Sequence, residues 1–398
     1  MEALLTASLL SLAACGGIVD QTPLDSLAAG STIWVQPGTA TVELEAVPGI
    51  ATGTLGGGVP ALAWRVSGVS GERPAFERES KDGSGTIFAA AAMVTGTVKP
   101  GSVLGTYEVG ANPEEVAIDA NGHVWVTNWG SANITELSRT GRVLGTYAAG
   151  IRPEGIAVDK AGNIWVVKNG SGTIMKYSST GLLLDTFRAG LKPHNMAIDC
   201  SGDLWVTDDG ANTVMKYSAA GGLLGAFKAG NNPHGIAVDA GGNVWVVNNG
   251  SDNLMKLSSA GTLLGVYKAG PDPISIAIDR AGDAWLTNTV NDGTSYAAGT
   301  VTELPPSGVN MGTFPAGGNA WGIAIDASGN LWVVNGLTNP GVLAPRTVTE
   351  LSPAGAILCA YEAGIDALGI AIDGRGDVWI TDSGASTVTV VSSGSAAI

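Results

Sequence analysis

Short apolar runs of about four to six residues, separated by polar and glycine-rich turns, recur along most of this chain. The unit is clearest at Pro233-His234-Gly235-Ile236-Ala237-Val238-Asp239, then Gly242-Asn243-Val244-Trp245-Val246-Val247-Asn248, Asn253-Leu254-Met255-Lys256-Leu257 and Leu263-Leu264-Gly265. Val and Ile dominate the runs, which suits strands. Four runs per unit predict four strands: A (Ile236–Asp239), B (Val244–Asn248), C (Leu254–Leu257) and D (Leu263–Tyr267). The A–B turn reads Asp-x-x-Gly. Asp bonds backbone amides two residues on, and Gly accepts the left-handed conformation.

The Asp recurs at Asp119, Asp159, Asp199, Asp239, Asp279, Asp326 and Asp373, and a Trp follows each by six residues, from Trp125 to Trp379. The spacings are 40, 40, 40, 40, 47 and 47. Four antiparallel strands in about 40 residues make one propeller blade. A blade cannot bury both faces alone, so the seven Trp are expected to fill the spaces between neighbours. A D-type run, Val103-Leu104-Gly105-Thr106-Tyr107, precedes the first A run, and the last unit stops after its C run, Thr387 to Val391. Pairing the spare strand with the incomplete unit closes the ring and leaves no open edge between the ends. The expectation is an all-β fold: a seven-bladed β-propeller over residues 101–392, closed by an N-terminal strand.

Residues 31–99 lack the repeat. Ile33-Trp34-Val35, Ala40 to Ala46, Leu62 to Val66 and Gly85 to Ala90 read as strands between Gly/Pro turns. They resemble a small bacterial immunoglobulin-like β-sandwich, with Trp64 as its core Trp. Residues 16–30 read as a tether. The apolar run Leu4 to Ala14 has the length of a signal-peptide h-region. It ends in Leu12-Ala13-Ala14-Cys15-Gly16, which resembles the lipobox of bacterial lipoproteins. That reading makes residues 1–15 a signal peptide, Cys15 the lipidation site and the protein an exported, cell-envelope lipoprotein, periplasmic or on the outer surface, or secreted. Membrane contact would come through the lipid anchor alone. The other reading is an ordinary apolar N-terminus, since Met1-Glu2-Ala3 carries no cation.

Apolar residues make up 45% and charged residues 14%, which argues against disorder. The net charge of −15 repels phosphate backbones, so no nucleic acid is expected as partner. Beyond Cys15 only Cys200 and Cys359 occur, in units far apart in the ring, so no disulfide between them is expected. A closed ring of this kind is expected to act as a monomer.

In a propeller the D–A and B–C connections open on one face, around the central funnel. Two insertions, Thr289 to Gly299 and Gly336 to Arg346, enlarge B–C loops there, for function or neutrally. The residue after the D–A Pro varies while its frame does not: Glu114, Glu154, His194, His234, Ile274, Trp321 and Leu368, with Ala in place of Pro in the last two units. Glu154, His194 and His234 are candidate ligands for one small molecule or a divalent cation; the alternative is a set of solvated loop residues. A second ring lies three residues past each Trp: Asn128, Lys168, Asp208, Asn248, Asn288, Asn335 and Asp382. Its Asn and Asp are best explained as caps of the B–C turn, while Lys168 would add a cation to the funnel.

The pattern Pro-x-Gly-Ile-Ala-Val-Asp, then Gly-Asn-x-Trp-Val, resembles NHL-repeat propellers and, more closely, the virginiamycin B lyase (streptogramin lyase) group, over about residues 101–392. The resemblance implies elimination that opens a cyclic ester, with a His as general base and a divalent ion such as Mg²⁺ on the developing enolate. His194 and His234 match the two His that the group carries on adjacent blades. Asn232 and Asn248 stand where it has Glu. Three functions follow as expectations: a binding or scaffold module holding a small molecule, peptide, glycan or protein in the top-face funnel; a C–O lyase; and a lactonase-type hydrolase. No cofactor is certain, and catalysis is the weaker reading.

Overall fold

The computed structural model describes residues 102–289, 299–308, 311–336 and 347–393, together with the backbone of four short strands between residues 43 and 67. Residues 290–298 and 337–346, the body of both proposed loop insertions, together with residues 1–30 with Cys15 and most of the 31–99 segment, lie outside the described residues. The chain divides at Gly101 into two units. In the first, Glu43–Ala46 pairs antiparallel with Trp64–Ser67, and Thr54–Leu55 with Val59–Pro60. The other expected strands of the immunoglobulin-like module fall outside the described residues.

The second unit holds seven four-stranded antiparallel sheets, each in simple A-B-C-D order. Blade 1 runs Pro113–Ile118, Val124–Asn128, Asn133–Leu137 and Val143–Ala148. Blade 4 runs Pro233–Val238, Val244–Asn248, Asn253–Leu257 and Leu263–Lys268. Blade 7 takes Ala367–Ile372, Asp377–Asp382 and Thr387–Ser392 from the end of the propeller and Val103–Glu108 from its start. The closing register sets Thr387 opposite Glu108, Val388 opposite Tyr107 and Val391 opposite Val103. The inner strand of blade 7 also packs beside that of blade 1, which completes the circle.

Each Asp-x-x-Gly turn ties the frame to the core. In blade 3, Asp199 Oδ1 accepts the Ser201 and Asp203 amides at 2.9 and 3.0 Å, and Oδ2 accepts the Trp205 indole N–H at 3.0 Å. The turn Gly, Gly202, has φ of 84°, in the left-handed region. The Asp–Trp bond recurs in all seven blades, from 3.0 to 3.4 Å. It gives the buried indole its hydrogen-bond partner.

Every repeat Trp is buried. Each packs into the next blade: Trp125 against Ile156, Ile164 and Tyr177, and so on round to Trp379 against Val116, Val124 and Leu137 of blade 1. Seven interfaces thus carry seven apolar clusters. Each Trp also lies against an aromatic ring of its own outer strand; for Trp379 that ring is Tyr107, at 6.1 Å between centroids. Cys200 is a free, exposed thiol, so it forms no bridge with Cys359.

Candidate functional site

The variable residues expected in the D–A loops lie inside the inner strands, at a bulge. In blade 4, Pro233 pairs with Asn248 and Ile236 with Val246, so His234 and Gly235 together oppose Val247. The same shift occurs in all seven blades. A bulge re-aims side chains, and here it sends them toward one another. The His194 and His234 rings lie 3.7 Å apart between centroids, tilted by 43°. His194 Nε2 is 3.6 Å from Glu154 Oε2. His234 also meets Trp321 edge-on at 6.1 Å, although their blades are not adjacent. Glu154, His194, His234 and Trp321 therefore form one cluster. Ile274 is buried beside it, and Leu368 is half-buried in the same ring position.

Two devices hold this ring. Buried Thr side chains on the B strands of blades 1, 3, 5 and 7 bridge neighbouring blades. Thr207 Oγ1 accepts the Asn195 amide at 3.0 Å and donates to the His234 carbonyl at 2.9 Å. Thr127, Thr287 and Thr381 donate likewise to the carbonyls of Glu154, Trp321 and Glu114. The intervening blades carry Val167, Val247 and Val334 instead. Close approach does the rest: a Cβ on Gly235 would stand 2.6 Å from the Ile274 carbonyl oxygen, and one on Gly369 would stand 2.5 Å from that of Glu114.

The second ring, three residues past each Trp, turns away from this cluster. Asn248 is buried; its Oδ1 accepts the Gly230 amide of the D–A loop and its Nδ2 donates to Asn253. Asp208 accepts the amides of Leu191 and Lys192. Asn128, Asn288 and Asn335 donate to Thr hydroxyls of strand C. These side chains fasten the D–A loop and strand C rather than capping the B–C turn alone. Lys168 occupies the same position beneath Gly150, where burial lowers its pKa. Asn232 is a loop residue in the left-handed region, φ 53°, bonded to Asn212 and Asn249.

One residue later the series runs Trp129, Asn169, Asp209 and Asn249, and two of these, Asn169 and Asp209, reach the cluster. Asn169 hydrogen-bonds the Glu154 carboxyl, and Asp209 acts on it electrostatically. Arg152 lies over Trp129 at 4.9 Å. A Trp, Asn, Asp, Asn series at a repeat-locked position was a visible signal, masked by the more uniform Asn/Asp series beside it.

Enclosure sets the charge state. Burial, then the nearby Glu114 and Asp209, push Glu154 up to about 8. Burial pushes Glu114 up to about 7, and burial together with Glu114 does the same to Glu115. Burial lowers His234 to about 4 and, with His234 beside it, holds His194 well below the usual imidazole value. At neutral pH the ring centre is a protonated acid beside two neutral imidazoles.

Among the described residues, four buried polar atoms around it have no protein partner: Glu154 Oε2, His194 Nδ1, Asp209 Oδ1 and Trp321 Nε1. The residues do not form a ready cation site. The two imidazoles are in ring-to-ring contact, and among the described residues no three His, Cys, Asp or Glu side chains group as metal ligands.

The same electrostatics fix a pH dependence. The folded ring keeps carboxyl protons that the unfolded chain releases near pH 4.5, so stability falls as pH rises through about 7 to 8. The depressed His pair acts oppositely, but only below the usual imidazole value near 6.5. Between about pH 6.5 and 8.5 the carboxyls act without that opposition. The urea midpoint is expected to fall steadily over this window, and Glu154→Gln to flatten part of the slope. A flat wild-type profile would contradict the protonated carboxyls.

No protein-family model matches the chain, and no curated protein matches it. Solved structures do. A streptogramin B lyase is 16% identical with a TM-score of 0.63, over 72% of this chain and 96% of that one. The virginiamycin B lyase of Staphylococcus aureus, as the selenomethionine protein, is 15% identical with a TM-score of 0.62, over 72% and 99%. A catalytically inactive His-to-Ala variant of the S. aureus lyase, solved with quinupristin, is 16% identical with the same score and coverage. A functionally unknown protein from Desulfotomaculum acetoxidans DSM 771 is 17% identical with a TM-score of 0.55, over 69% and 90%. Identities this low speak for architecture alone: the chain carries a virginiamycin B lyase-like seven-bladed β-propeller.

Proposed function

We propose that this protein is a binding module that takes its ligand in the funnel where the seven inner strands begin. One observation carries the reading. Four buried polar atoms, on Glu154, His194, Asp209 and Trp321, lack partners around one cluster. A buried donor or acceptor left unmade costs about 1–3 kcal/mol. A ligand that pairs with several of them recovers that cost, and nothing else in the described fold does. The exported, Cys15-anchored location belongs to the same proposal, as does a monomeric ring.

Thermal-shift screening of small molecules, peptides and glycans tests it. Compounds that raise the wild-type midpoint but not that of a Glu154→Leu/Trp321→Ala double variant are funnel ligands. A library in which every hit stabilises both proteins equally overturns the reading.

The lyase reading has one observation of its own: the His194 and His234 rings meet, tilted, from adjacent inner strands. A neutral imidazole is a competent proton acceptor, but the depressed pKa values make these weak bases at neutral pH. Liquid chromatography with tandem mass spectrometry of quinupristin incubated with the protein and Mg²⁺ decides it: elimination gives a ring-opened isomer of the same mass, so unchanged retention and fragmentation remove the lyase, while a gain of one water marks hydrolysis instead. The lactonase-type hydrolase has no comparable observation in its favour.

A further inference from the structure

Resting on the funnel-binding reading, we infer that the ligand class is an uncharged polyhydroxylated molecule, a carbohydrate, held by Glu154, His194 and Asp209 on one side and by Trp321 on the other. The unsatisfied atoms set the terms. Asp209 Oδ1 accepts, Trp321 Nε1 donates, and Glu154 Oε2 and His194 Nδ1 do either according to where their protons sit. Hydroxyl groups each give and take a hydrogen bond, so a few of them satisfy the whole set without adding charge. The apolar side fits the same chemistry. Trp321 and the buried Ile274 offer the C–H face of a sugar ring a dry surface.

Charge argues against the other classes. An anion would face the Asp209 carboxylate beside an uncharged Glu154, while the guanidinium of Arg152 is already stacked over Trp129. A metal ion lacks a converging ligand set among the described residues. An organic cation would have only Asp209 as its counter-charge, since burial keeps Glu154 protonated to about 8. That last difference is testable, because Gln reproduces a protonated Glu in shape and hydrogen-bonding capacity but never ionises.

The experiment follows the Trp321 indole N–H resonance, assigned by its loss in Trp321→Phe. Neutral cello-, chito-, manno- and galacto-oligosaccharides of two to six units are titrated into the full-length protein at pH 7. Quinupristin and choline serve as comparison probes. Expected are a saturable shift with at least one neutral oligosaccharide, affinity within about threefold of wild type in Glu154→Gln, and a loss of tenfold or more in Glu154→Leu. Urea midpoints of both variants report whether they fold. A choline response abolished by Glu154→Gln, or a quinupristin response with none from any sugar, overturns the carbohydrate class and leaves a funnel-binding module standing. Silence of the Trp321 resonance toward every probe overturns the carbohydrate class, and with a negative compound screen it removes the binding reading too.

Discussion

Removal of residues 102–108 is expected to abolish cooperative folding of the propeller. The deleted strand is the fourth of blade 7, hydrogen-bonded along Thr387–Val391. Without it that strand becomes an open edge, and Trp379 loses the Tyr107 ring against which it stacks. The damage spreads, because the Trp379 cluster is also the interface with blade 1. Tyr107→Ala alone keeps the backbone pairing and is expected to cost about 3 kcal/mol. Urea unfolding followed by near-ultraviolet circular dichroism separates the two: a lower midpoint for Tyr107→Ala, and a broad or absent transition for the deletion. A deletion variant with the wild-type midpoint would show that the ring does not depend on closure.

Asp199→Ala is expected to be the most damaging single substitution in the frame. It leaves the amides of Ser201 and Asp203 and the buried Trp205 indole without their acceptor. It also strips a partner from Lys216, whose Nζ lies 3.4 Å from Asp199 and stacks over Trp205 at 4.9 Å. Breaking a buried charged pair from one side costs about 3–5 kcal/mol, which in a domain this size lowers Tm by on the order of 10 °C. Burial opposes ionisation of this Asp, but the bonds from Trp205 and Asp203 and the charge of Lys216 outweigh it and hold its pKa below the usual value. Its stabilising effect is therefore complete above the ordinary carboxylate range and lost as pH falls through the lower folded value. Calorimetry at pH 7 and below pH 3 checks both points: the gap between wild type and Asp199→Ala narrows in acid. A gap that persists unchanged would mean that the carboxylate charge is irrelevant.

The architecture was legible because its signals are redundant. Asp at the turn, Gly three residues on and Trp six residues on each have a local cause, and seven copies in register leave one arrangement that buries every Trp. The spare strand at Val103 and the missing strand after Val391 specified closure by the same counting. The site was legible in part. A position that varies inside a fixed frame marked Glu154, His194, His234 and Trp321, and the structure gathers them. Its neighbours were legible only in part: the Asn248 series is structural, as its reading as caps implied, though it fastens the D–A loop and strand C, and the next residue, at Asn169 and Asp209, reaches the cluster unannounced. Which of two consecutive residues turns inward depends on strand twist and loop path, which no pairwise spacing records. The Thr/Val alternation along the B strands was equally visible, but its meaning needs the neighbouring blade, because Thr207 bonds a carbonyl 27 residues away in sequence.

The bulge at the head of each inner strand separates two jobs that usually compete. The main chain of its first residue, as at His234, is gripped by a threonine from the preceding blade in four of the seven cases. Its second must often stay small, as Gly235 and Gly369 do. The fold therefore behaves like a seven-place combination lock whose tumblers turn independently of the casing. If the funnel binds as proposed, its chemistry can be rewritten one place at a time, with acid, imidazole, indole or aliphatic groups exchanged within one frame, whereas a side chain added at Gly235 or Gly369 meets the backbone of the next blade.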